Sequence, residues 1–265
     1  MDLQLSGKRA IITGGSRGIG LAVAKALAAE GADVVLAARG HAELDLARAA
    51  VEELGHKVMA IPTDTNDDSS VQALVAAAVE GLGGVDILIN AAARAATPGS
   101  PRMLADLRDE DLRAEIETKV LGCLRTARAV APLMVQQGWG RIVNVSGLAA
   151  LNAGNTFGSM RNVAVAAMTK NLADELGAAG VNVTVVHPAL TRTERTPALI
   201  DATAAARGTT LGEAEALLGG GSTIGRMVTA EEVADVIVFL ASPRSVAITG
   251  DAIPVGGGTP GPIRY

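Results

Sequence analysis

The sequence predicts an α/β fold: a parallel, doubly wound sheet of about seven strands with helices on both faces. Three observations predict it. Short, almost wholly apolar runs alternate with helical patterns in the order βαβαβαβ, as strands covered on both faces by helices require. The first run, Ala10-Ile11-Ile12-Thr13, enters the glycine-rich turn Gly14-Gly15-Ser16-Arg17-Gly18-Ile19-Gly20, which opens a helix over 21–27. The chain has 265 residues, 49% hydrophobic with 31 glycines and 2% aromatics, which suits a single domain over 1–265 with a core of Ala, Val, Leu and Ile.

The glycine turn comes first. Its spacing, Gly14-x-x-x-Gly18-x-Gly20, lets the backbone approach a bulky anion, and the helix behind it aims free N–H groups and a positive dipole end at the same place. Gly14, Ser16, Arg17, Gly18, Ile19 and Gly20 are therefore candidates to hold a pyrophosphate. The plain alternative is a turn before a core helix. The second strand, 34–38, ends in Ala38 and is followed by Arg39. An acid at that end would bind ribose hydroxyls, whereas an arginine accommodates a 2′-phosphate. With Arg17 nearby, Arg39 selects NADP(H) over NAD(H); otherwise Arg39 is a solvated surface residue.

A helix is expected over 43–54, a third strand over 58–62, then Asp64-Thr65 and a helix capped within 67–70 and running to Leu82. The fourth strand, 85–90, ends Asn90-Ala91-Ala92-Ala93. A long helix covers 109–137, with Pro132 expected to kink it. The fifth strand, 140–146, ends in Ser146, a helix spans 155–177, and the sixth strand, 182–188, ends at His187-Pro188. Residues 191–225 are polar and partly helical, placed where a substrate lid lies in such folds. Thr229-Ala230-Glu231-Glu232 carries a capping box, its helix runs to about 241, and 248–257 closes the sheet before an irregular tail, Thr259-Pro260-Gly261-Pro262.

Composition excludes some functions. A net charge of −5 with no basic run argues against nucleic acid. The single cysteine, Cys123, reads as a small buried residue in a reducing, cytoplasmic setting. No basic-then-apolar leader opens the chain, and the longest uncharged run, 142–160, is too rich in Asn, Ser and Thr for a membrane span.

Thr13-Gly14-x-x-x-Gly18-x-Gly20, the strand ending at Asn90, the Pro188-Ala189-Leu190-Thr191-Arg192-Thr193 turn and the closing segment together resemble the short-chain dehydrogenase/reductase family, from Gly7 to Gly258. The resemblance implies a Rossmann-type fold and hydride transfer between a nicotinamide and a small carbonyl or alcohol substrate. It places Asp64 and Thr65 at the adenine, Asn90, Ala91 and Ala92 beside the cofactor, and Pro188, Thr191 and Thr193 towards the carboxamide. It also implies a homotetramer or dimer formed through helices 109–137 and 155–177, whose small faces, such as Ala164-Ala166-Ala167, allow close packing.

The family's proton relay is a tyrosine, a lysine four residues later, a serine on the preceding strand and an asparagine on the long helix. Ser146 matches the serine. Gly158 and Asn162 stand at the tyrosine and lysine positions, or Ser159 and Val163 if the register shifts by one, and Lys119 stands at the asparagine position. No register restores the pair, because the only tyrosine is Tyr265. Lys119 is the one replacement that brings a cation, and desolvation can lower a lysine's pKa enough to make it an acid. Lys119 and Ser146 are thus the candidate catalytic residues. Against this, Lys119 can pair with Glu115 on a solvated face, Arg161 and Asn162 can be structural, and His187 can be a titrating group or a packed strand-end residue. Glu194, Arg192 and Arg195 could meet a polar or anionic substrate. An NADP(H)-dependent oxidoreductase is the expected function. The alternatives keep the nucleotide without redox turnover: a lyase or isomerase, or an inactive subunit or sensor. No metal site is expected.

Overall fold

The computed structural model describes residues 1–93, 103–153 and 155–260. Gly261, Pro262 and Tyr265 lie outside the described residues. The chain runs β1 (Arg9–Thr13), α1 (Gly18–Ala29), β2 (Asp33–Ala38), α2 (His41–Glu52), β3 (Val58–Pro62), α3 (Asp68–Leu82) and β4 (Ile87–Asn90). It continues through α4 (Asp109–Ile116), a π-helical turn (Glu117–Leu121), α5 (Gly122–Gln137), β5 (Gly140–Val145), α6 (Thr156–Leu176) and β6 (Val181–Pro188). It closes with β7 (Thr191–Arg192), α7 (Thr196–Arg207), α8 (Leu211–Gly219), β8 (Val228–Thr229), α9 (Ala230–Ala241) and β9 (Ala252–Val255).

Seven strands pair in the order β3-β2-β1-β4-β5-β6-β9, every neighbour parallel. Strand periodicity divides each apolar run between two cores. In β1, Ala10 and Ile12 pack with Val23 and Leu27 of α1 and Ile237 of α9, while Ile11 packs on the other face with Leu74 of α3 and Val130 of α5. This is why the strands read as continuous hydrophobic stretches. Side-chain caps set several helix starts: Asp67 accepts from the Ser69 amide at 2.9 Å, Asn155 from the Gly158 amide at 2.8 Å, and Thr229 and Glu232 form the expected box at α9.

Two expectations are corrected. The helix over 109–137 departs from α geometry at 117–121 and not at Pro132, which lies within α5. Such widened turns in α-helices are frequent at functional sites. The closing strand shrinks to β9, because residues before it are bound elsewhere: the Ile248 amide donates to Ser245 O and the Gly250 amide to Val183 O, both at 2.8 Å.

Strand β1 lies between β2 and β4, so the winding direction reverses there. In open parallel sheets the crevice outside the strand C-termini at this reversal is where ligands bind.

Candidate active site

A cleft of about 640 Å³ runs along those C-terminal ends. It is lined from the loops after β1, β2, β3, β4, β5 and β6 and from the π-turn.

At one end is the glycine loop. The Gly14 amide donates to Ala37 O at 2.8 Å, tying the loop to β2. Gly14 has φ +68°, and a Cβ there would sit 2.8 Å from Ala91 O; a Cβ on Gly20 would sit 2.2 Å from Gly14 O. Only glycine leaves this cradle open. Arg17, at the N-cap of α1, provides no side-chain cap, so the first amides of the helix face the cleft. One of them is in use: the Gly18 N–H donates to Glu194 Oε2 at 3.2 Å. A carboxylate from 176 residues away therefore occupies the anion position at this helix end. Gly14, Ser16, Arg17, Gly18, Ile19 and Gly20 all line the cleft, as does Arg39. Among the described residues neither Arg17 nor Arg39 is ion-paired.

Asp64, Thr65, Ala91, Ala92, Pro188, Thr191 and Thr193 also line the cleft. Asp64 Oδ1 accepts from the Asn66 amide at 3.0 Å, which holds the loop after β3. The Asn90 side chain is bonded within the core: Nδ2 donates to Asn144 Oδ1 at 2.9 Å and Oδ1 accepts from Thr126 Oγ1 at 2.7 Å. Arg192 turns away, ion-paired with Glu215 of α8. Glu43, which also lines the cleft mouth, carried no sequence signal beyond its place at a helix start.

At the inner end Ser146 and Lys119 line the same cleft. Ser146 Oγ donates to the Asn162 carbonyl at 3.3 Å. Lys119 is 7% exposed. Burial pushes its ammonium below the ordinary lysine value, and pushes the neighbouring Cys123 thiol up to about 11, so Cys123 supplies no counter-charge near neutrality. The alternative pair with Glu115 does not form: Glu115 is ion-paired with Arg161 of α6. Glu117 is paired with Arg125 at 2.5 Å. Among the described residues Lys119 has no carboxylate partner, and it is not on a solvated face.

Asn162 is buried and lines the cleft, while Val163 is 50% exposed. Gly158 is buried in the first turn of α6 against its cap Asn155. His187 is fully buried and its Nδ1 accepts from the Gly147 amide at 3.4 Å, so it packs at the strand end and does not line the cleft.

Residues 14–260 match the family described as enoyl-(acyl carrier protein) reductase. The short-chain reductase protein NovJ of Streptomyces niveus is 35% identical over 252 residues, covering 95% of this chain and 93% of that protein. The 3-oxoacyl-(acyl-carrier-protein) reductase FabG of Vibrio cholerae is 33% identical, covering 97% and 98%. Among solved structures, L-sorbose reductase from Gluconobacter frateurii, complexed with NADPH and L-sorbose, superposes with a TM-score of 0.90 at 31% identity over 98% of each chain. No helix among the described residues is long and apolar enough to cross a membrane. On fold, glycine cradle and full-length likeness, the chain belongs to the short-chain dehydrogenase/reductase family.

Proposed function

We propose that this chain is an NADP(H)-dependent oxidoreductase for a small carbonyl or alcohol substrate, with Lys119 and Ser146 in place of the family's Tyr-x-x-x-Lys relay. The observation that carries the reading is a buried lysine without a carboxylate partner, in the same cleft as the strand-end serine. Bound NADPH supplies the hydride. The chain's own groups do the rest. Lys119 Nζ holds the proton that passes to the substrate oxygen as that oxygen gains negative charge, and is reprotonated from solvent. Ser146 Oγ turns from the Asn162 carbonyl and donates to the same oxygen. Desolvation favours the neutral amine, so it makes Lys119 a stronger acid than a free lysine. Following NADPH absorbance across a panel of ketones and aldehydes tests the reading. Consumption supports it; binding without consumption supports a non-redox nucleotide protein.

The glycine loop, with Gly14, Ser16, Arg17, Gly18, Ile19 and Gly20, is proposed to take the diphosphate. Asp64 and Thr65 are proposed at the adenine, Ala91 and Ala92 alongside, and Pro188, Thr191 and Thr193 towards the nicotinamide. Arg39 is proposed to meet the 2′-phosphate. Arg39→Ala is expected to weaken NADPH binding about ten- to a hundredfold, as the loss of a charge-assisted hydrogen bond does, and to leave NADH binding unchanged. Calorimetry with both nucleotides checks this. Because Glu194 occupies the anion position, it has to leave when a diphosphate arrives. Glu194→Gln is expected to tighten NADPH binding about fivefold, by removing a competing charge of roughly 1 kcal/mol.

Residues 191–225 are proposed as the lid. Helices α7 and α8 pack around a small cluster of their own, Ile200, Ala204, Ala214 and Met227, separate from the two main cores. A homotetramer or dimer in the cytoplasm is proposed as well. Helix α6 exposes Met160 at 49% and Val163 at 50%, with Ala164 and Ala167 at the following helical positions, an apolar stripe suited to a second copy.

A further inference from the structure

The π-turn that carries Lys119 is fastened to the neighbouring wall of the cleft by one side chain. Arg125, in the first turn of α5, donates from Nη2 to Glu117 Oε1 at 2.5 Å and from Nη1 to the Thr65 carbonyl at 3.2 Å. The first bond reaches back to the start of the π-turn, and the second reaches the loop after β3. Thr65, Thr118 and Lys119 all line the cleft, so Arg125 joins two parts of one wall. Its guanidinium is a planar fork, suited to holding a carboxylate and a carbonyl at once.

Two features of the backbone make this clamp possible. In a plain α-helix, residues eight apart are turned about 80° from each other. The extra residue taken up by the π-turn between them brings Glu117 and Arg125 towards one face. Gly122 lies where the helix meets the loop: a Cβ there would stand 3.0 Å from Thr65 Oγ1 and 3.2 Å from Thr65 Cβ. The glycine lets the helix approach closely enough for Arg125 to reach the carbonyl.

Lys119 needs such a clamp. It is buried without a carboxylate partner among the described residues, and Cys123 of α5 is the one titratable group acting on its charge. The other charged groups around the turn are engaged elsewhere. Glu115 is paired with Arg161 of α6, Glu117 with Arg125, and Asp64 of the loop after β3 accepts from the Asn66 amide at 3.0 Å. A lysine stem is long and flexible, and a buried ammonium gains hydration by swinging outwards. Holding the turn in place holds the ammonium in the cleft.

Resting on the reading of Lys119 as the proton donor, we infer that Arg125 is a positioning residue: through Glu117 and the Thr65 carbonyl it fixes the π-turn against the loop after β3, and so keeps the Lys119 ammonium in the cleft. Titration of lysine ¹³Cε NMR signals in the nucleotide-free protein tests this without requiring turnover. The lysines are Lys8, Lys25, Lys57, Lys119 and Lys170, and the signal missing from Lys119→Met belongs to Lys119. In the unaltered protein that signal is expected to titrate below 10.5. Arg125→Met and Glu117→Ala are each expected to move it up towards 10.5 and to slow single-turnover reduction about ten- to a hundredfold, the cost of a misplacement of about 1 Å. Glu117→Ala separates position from charge. Loss of a nearby anion would by itself move the titration down, whereas release of the turn moves it up. Glu117 is 39% exposed, so the test stands even if Arg125→Met does not fold. Arg128→Met is the control: it removes the 2.6 Å pair with Asp68 that joins α5 to α3, and is expected to leave both readings unchanged. A titration that stays or falls in Glu117→Ala, or rises as far in Arg128→Met, overturns the inference. So does a Lys119 that already titrates at 10.5 in the unaltered protein. NADPH consumption is read separately: none with any ketone or aldehyde counts against the oxidoreductase reading, whatever the titrations show.

Discussion

Lys119→Met is expected to slow carbonyl reduction about a hundred- to ten-thousand-fold, the usual contribution of one positioned proton donor, and to leave NADPH affinity nearly unchanged. The side chain lies in the π-turn, 7% exposed, and faces the cleft that Ser146 also lines. Glu115 and Glu117, the nearest acids along the helix, are paired with Arg161 and Arg125. Nothing among the described residues offsets its charge, so the folded protein carries the cost of burying it. The sign follows from linkage. The folded-state pKa of Lys119 is lowered, so the unfolded chain binds more protons in the window between that pKa and the ordinary value of 10.5, and stability rises with pH across that window. Below it the cost is present in full. Methionine removes it, and is expected to stabilise the fold by on the order of 1 kcal/mol, a rise of roughly 2–4 °C in Tm for a chain of this size. Gain of stability with loss of turnover is the signature of a group kept for function. Steady-state rates and thermal melts on the same preparation check both halves. Unchanged turnover would reject the catalytic role.

Gly20→Val is expected to abolish measurable NADPH binding, a loss of about a hundredfold or more. A Cβ at residue 20 would stand 2.2 Å from the Gly14 carbonyl oxygen and 2.8 Å from its carbon. Both are backbone atoms of a loop already fixed by the Gly14 bond to Ala37 O, so no side chain can swing aside. The loop would have to open, moving the amides at the start of α1 off the anion position. Gly177→Ala is the control. A Cβ there meets nothing within 4 Å, its φ is −58°, and affinity is expected to stay the same. Calorimetry on the two variants separates a steric requirement at the cradle from a general effect of replacing glycine.

The sheet was legible because its strands are covered on both faces and therefore spelled in Val, Ile and Leu, and the glycine loop was legible because its glycines are sterically required. What escaped the sequence depends on partners far along the chain. The side-chain partners of Asn90 are Asn144 and Thr126, 54 and 36 positions later. The Lys119–Glu115 pair looked natural at helical spacing, yet Arg161 comes from α6 to take that carboxylate. Glu194 reaches the Gly18 amide only because the loop after β6 folds over the start of α1. The π-turn has no residue signature at all: it is a shift of backbone hydrogen bonds, whereas Pro132, the visible helix breaker, sits within α5.

The most direct test of a relay without tyrosine is the pH dependence of NADPH oxidation in a single turnover. With Lys119 as the acid, the rate is expected to fall as pH rises, with an inflection below a free lysine's 10.5 that disappears in Lys119→Met. A rate with no such fall, or the same fall in Lys119→Met, would contradict it.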